Sequence, residues 1–150
     1  MWYRILLLVH IVAGMAWVGG GFLIHVTEQR AFRRAGRPAV DRVRADLAWA
    51  DTWLALPAPL LVVGSGIVMV FVSSGWRFAQ TWIWASLALI GLYEALALTV
   101  GARLYGQLEN AEADLLAGTD PMGSFLRLGS VLIVLLLGVV VLMVFKPGMG

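Results

Sequence analysis

Four long apolar runs alternate with polar joints along the chain. They cover about 5–26, 54–72, 81–102 and 125–145. Each is close to the ~20 residues that cross a bilayer as a helix. The last contains "VLIVLLLGVVVLMVF", with no polar side chain. In lipid every backbone amide must be satisfied within the protein, so such runs become helices. The pattern predicts an all-α membrane protein, an antiparallel four-transmembrane-helix bundle forming one domain over residues 1–150.

The joints differ. Residues 27–53 are polar and arginine-rich, interrupted by Gly36-Arg37-Pro38. Pro38 suits the first position of a helix. "AVDRVRADLAWADTW" then has helical composition and leads into the second run. "SSGWRFAQ" (73–80) reads as a tight turn. Residues 103–124 carry Glu109, Glu112, Asp114 and Asp120, with a turn signal at Gly118-Thr119-Asp120-Pro121. The start of the chain faintly resembles a cleaved signal peptide, with Arg4, an apolar run and Gly14-Met15-Ala16. The run continues to Ile24, however, which favours a retained helix.

Composition agrees with membrane class. The chain is 61% hydrophobic and 13% charged, with mean hydropathy +0.87, whereas soluble domains carry about 25% charge. It has no cysteine, so disulfides, thiolate metal sites and cysteine nucleophiles are excluded. The net charge of +2 is unevenly placed. Arg30, Arg33, Arg34, Arg37, Arg42, Arg44, Arg103 and Arg127 fall on one side of the spans, and Arg4, Arg77 and Lys146 on the other. Positive residues stay inside. The expectation is a multi-pass protein of the bacterial inner membrane with both termini outside. Trp2, Trp49, Trp53, Trp76, Trp82 and Trp84 lie near the expected interfaces, and Trp17 at mid-depth. No pattern suggests nucleic-acid binding.

The candidate chemistry sits in "LVHIVAGMAWVGGGFLIHV" (8–26). At about 100° per residue, His10, Gly14, Trp17, Gly21 and Glu28 share one stripe, with His25 at its edge. An ionisable side chain within a span is a functional candidate. His10 reads either as an interhelical hydrogen bond or as a ligand. The glycines admit a neighbouring helix or a flat cofactor, as do Gly64, Gly66, Gly91 and Gly101. His25 lies about 22 Å along the axis from His10. One unbroken helix therefore does not clamp one haem with both, and His25 is expected in a hydrated setting. Glu94, within the third run, reads either as a proton relay or as a neutral carboxyl hydrogen-bonded to Trp17, Tyr93 or a serine. Asp51, followed by Pro57 and Pro59, reads as a cap and a kink. Met69 and Met143 fall in the same outer layer as His10. They read as packing, or as thioether partners to an imidazole on haem iron or copper(I).

"LVHIVAGMAWVGG", "DTWLALPAPLLVVGSGIVM" and "LMVFKP" together resemble the bacterial predicted integral membrane proteins of domain-of-unknown-function family 2269. The resemblance covers all four runs. Asp51-x-x-Leu54-x-x-Pro57 followed by Gly64-x-Gly66 matches it well. The first run is also distantly similar to that of J-type protoporphyrinogen oxidases, which are haem-associated, and the copper-resistance D proteins share this general look. In the oxidases a His is followed seven residues later by Trp and then a small pair, here His10, Trp17 and Gly19-Gly20. Their last span ends in Lys-Pro, as Lys146-Pro147 does here. Their Leu-Pro-Arg-Leu stretch is replaced by "FLIHVTEQR", and the third run lacks their lysine. The likeness therefore implies haem b without carrying over the oxidation.

Three functions stay open on sequence. One is a haem b or redox membrane protein using His10. Another is a non-catalytic accessory subunit, packed within a larger membrane complex or a homo-oligomer in the lipid bilayer. The third is a small transporter or copper-import component. No hydrolase triad and no phosphate-cradling glycine loop can be assembled, so the sequence leans away from an enzyme while leaving the question open.

Overall fold

The structure is a computed structural model that describes residues 1–35, 57–73, 75–109 and 121–147. Asp51, Trp49, Trp53, Pro38 and most of the acidic third joint lie outside the described residues. Helix α1 spans Trp2–Ala35 and α2 spans Pro57–Val72. Helix α3, Thr81–Leu96, continues through a π turn, Ala97–Gly101, into α4, Ala102–Glu109. Helix α5 spans Pro121–Phe145.

Three of these helical stretches, Trp2–Arg30, Thr81–Leu104 and Gly123–Phe145, are long and apolar enough to cross a membrane, and Pro57–Val72 is a shorter apolar helix. The chain is thus all-helical wherever it is described as regular structure. The helices outrun the apolar runs. "TEQRAFRRA" after Val26 is built from strong helix formers, so α1 continues through it. Pro57 and Pro59 stand in the first turn of the described α2, where a missing N–H breaks no ladder bond.

The described chain forms two compact units, Met1–Trp84 with Pro147–Gly150, and Ala85–Lys146. In the first unit, α1 packs antiparallel on α2. Residues near the start of α1 meet those near the end of α2, and Gly14 faces Val62 at ordinary contact distance. The buried residues of α2 are Ala58, Pro59, Val62, Ser65 and Met69, a line of three- and four-residue steps. On α1 the buried line is Ala13, Trp17, His25 and Glu28. At the start of α1, Trp76 Nε1 donates to the Tyr3 hydroxyl (2.9 Å), and Trp76 stacks edge-on against Trp82 with centroids 5.6 Å apart. Trp82 is thereby buried, unlike the exposed Trp2 and Trp84.

The second unit is a second antiparallel pairing. Gly138 of α5 meets Leu89 of α3, and Leu128 meets Gly101 at the π turn. Leu136 and Val139 are buried on α5. The helix α5 ends at Phe145, and Lys146 closes it in a left-handed conformation (φ 44°) with its N–H bonded to the Leu142 carbonyl at 2.9 Å. That conformation is uncommon for a side-chain-bearing residue.

Candidate functional site

His10 is the centre of the first unit's polar chemistry. Its position one and two turns before Gly14 and Trp17 puts it on the α1 face that packs on α2. Its Nδ1 lies 2.9 Å from the Val62 carbonyl oxygen and 3.1 Å from Ser65 Oγ. A carbonyl only accepts, so Nδ1 carries the proton and donates. The Ser65 hydroxyl in turn donates to the Leu61 carbonyl, within its own helix. Its lone pairs remain available to the imidazole. A helical carbonyl keeps a second lone pair after its ladder bond, which is how Val62 serves both its helix and His10.

This arrangement fixes the tautomer. With Nδ1–H committed to α2, Nε2 presents its lone pair. Among the described residues Nε2 takes part in no hydrogen bond. An imidazole whose N–H is anchored on a backbone carbonyl is the usual form of a histidine that ligates metal.

Gly66 makes the arrangement possible. A Cβ built there would stand 3.3 Å from His10 Cε1 and 3.6 Å from Nδ1. Any side chain would press on a ring already held by two hydrogen bonds. The Gly64-x-Gly66 spacing noted in the sequence therefore divides. Gly66 clears the imidazole, while Gly64 has open space at its Cβ position. Gly21 is likewise open, and Gly14 serves helix contact.

The other expected site residues separate. Trp17 is buried at 3% exposure, on the same line as His10. His25, expected in a hydrated setting, is enclosed by the protein to 8% exposure. The Gln29 side-chain amide donates to its Nε2 at 3.0 Å, across one helical turn. Covered chain, rather than depth, sets its surroundings, and no periodicity signals that. Glu28 is buried beside it in register. Met69 is buried on α2, four residues beyond Ser65 on the same face. Met143 belongs to the second unit and is partly exposed. Glu94 also belongs to the second unit. Its Oε1 is buried and accepts no hydrogen bond from a described residue. Sequence reasoning missed Val62 and Ser65. A backbone carbonyl has no sequence signature, although a serine between two glycines in an apolar run was a hint of close approach.

Among the described residues no group of three or more His, Asp or Glu side chains is placed to hold a metal ion. A bare ion thus has no three-ligand set there. Haem iron asks the protein for only one or two ligands, and His10 Nε2 is the atom that would supply one.

No curated protein and no solved structure matches the chain. The family model described as "Predicted integral membrane protein (DUF2269)" matches residues 4–147. That match covers nearly the whole sequence and agrees with the apolar helices: the chain belongs to this family of integral membrane proteins.

Proposed function

We propose that the protein is a b-type haem-binding protein of the bacterial inner membrane, with His10 Nε2 as an axial ligand. The observation that carries this reading is the anchored tautomer of His10, whose Nδ1–H is spent on Val62 and Ser65. When bound, haem would supply one-electron redox chemistry or serve as cargo. The chain's own residues orient the ligand. Val62 and Ser65 hold the imidazole and Gly66 clears it, while Gly14 and Trp17 follow His10 on the same face of α1. Met69 offers a thioether on the same face of α2 as Ser65. The distant likeness of the first helix to haem-associated J-type oxidases, in His10, Trp17 and Gly19-Gly20, supports the same reading.

The test is a visible spectrum of the purified protein after haem-replete expression. Wild type should show a Soret band. His10→Ala should lose it while still inserting and purifying as a single species, and His25→Ala should keep it. Equal haem in wild type and His10→Ala, or none in either, would reject the ligand. His10 would then be a polar tie between α1 and α2, and the accessory-subunit reading would stand.

The arginine asymmetry further supports an antiparallel four-helix bundle with both termini outside. In this cysteine-free chain single cysteines report side directly. Ser74→Cys should react with an impermeant thiol reagent in spheroplasts and Ala35→Cys should not; the reverse pattern would invert the orientation.

A further inference from the structure

The second unit carries an ionisable group that the His10 reading does not use. Glu94 lies inside a candidate membrane span, Thr81–Leu104. Its Oε1 is buried and takes no hydrogen bond from any described residue. An unpaired carboxylate in such a place costs several kcal/mol, so the group is neutral unless a partner reaches it. A neutral carboxyl with an oxygen left unbonded is unusual for a group retained only for structure. Buried polar groups are generally satisfied.

Two features of the same helix bear on what reaches it. Side chains on a helix lean toward its N-terminus, so Glu94 leans over the turn that holds Ile90 and Gly91. Gly91 has open space where a Cβ would stand. Three residues after Glu94 the helix widens into the π turn Ala97–Gly101. There Thr99 Oγ1 donates to the Ala95 carbonyl (2.5 Å), and the Ala102 N–H bonds to the Thr99 carbonyl, out of α register. Single π turns concentrate at functional sites, and displaced ladder bonds in a membrane helix are commonly re-satisfied by water.

The stretch of α5 between Leu128 and Gly138, which packs on the segment from Leu89 to Gly101, is "GSVLIVLLL". It holds no titratable side chain, and its Ser130 hydroxyl donates to the Leu126 carbonyl of its own helix. On the helix of Glu94 itself, the titratable neighbours are Tyr93 and, beyond the π turn, Arg103.

We propose that Glu94, between the opening at Gly91 and the π turn at Ala97–Gly101, is a proton-binding site within the span, exchanging its proton with water. The carboxyl takes a proton from hydronium and releases it to water, with no other bond changed. The proposal does not rest on His10 or on haem.

A hydrophobic carbodiimide reads it directly, because it attacks protonated carboxyls in apolar surroundings. The acid proton moves to a carbodiimide nitrogen, the carboxylate oxygen bonds the central carbon, and rearrangement leaves a stable acylurea with no leaving group. The full-length protein in lipid vesicles should acquire one adduct on the peptide containing Glu94, found by mass spectrometry. Labelling should fall as the buffer is taken from mildly acidic to mildly alkaline. It should be lost in Glu94→Gln and fall several-fold in Gly91→Leu, which fills the opening. Absence of an adduct on Glu94 in wild type would overturn the proposal. An adduct whose yield ignores pH would overturn the exchange, and full labelling of Gly91→Leu would remove Gly91 from the site.

Discussion

The two units contain a glycine contact of nearly the same tightness, and the two contacts mean different things. In the first, a Cβ on Gly66 would stand 3.3 Å from His10 Cε1; in the second, a Cβ on Gly138 would stand 3.2 Å from Leu89 Cδ1. Distance alone would rank them equal. The imidazole is held by the Val62 carbonyl and by Ser65. The leucine methyl is the free end of a flexible side chain with no directional bond. What decides the role of each glycine is whether its neighbour can give way. The first unit has a polar tie between its helices at this contact, whereas the contact in the second is between apolar groups. The same contrast holds for the ionisable residues: His10 has its donor satisfied across the helix pair, while Glu94 Oε1 has no partner among the described residues.

The largest effect expected from this contrast is at Gly66. Gly66→Ala should cost about 1–3 kcal/mol, the range for overpacking a well-filled contact, read by unfolding in mixed micelles. In a His10→Ala background the cost should vanish, since the ring it presses on is gone. A cost that persists there would show that Gly66 answers to something other than the imidazole. The smaller effect is at Gly138. Gly138→Ala gains helix propensity of up to ~1 kcal/mol and displaces only a methyl, so its net change should stay below about 1 kcal/mol by the same measurement. A loss as large as that at Gly66 would break the distinction between the pinned ring and the free methyl.

Much of this was legible in the sequence, for physical reasons that can be named. Apolar runs of bilayer length impose helices, because lipid offers the backbone no partner. The steps of three and four residues from His10 to Trp17 placed both on one face, and Trp17 is indeed buried. Other features had no signal to read. The burial of His25 depends on what covers it. The acceptor for His10 is a main-chain oxygen of Val62, identical in kind to every other carbonyl. The π turn follows from one residue of extra register, and "ALTVG" differs from its flanks only in its weaker helix formers. The extension of α1 to Ala35 was masked by charge, since a run that leaves the lipid can remain helical in water.

The length of α1 bears on how the first unit meets a bilayer. Its 34 residues make a rod of roughly 51 Å at ~1.5 Å per residue, against a hydrocarbon layer of about 30 Å, so the polar stretch after Val26 extends beyond the lipid. The apolar run 5–26, about 33 Å long, matches that layer, and a helix of this kind tilts further as the membrane thins. Because α1 is fastened to α2 at His10 as well as by packing, a change of tilt between them is borne in part by the hydrogen bonds to Val62 and Ser65. Membrane thickness thus becomes a mechanical load on the imidazole.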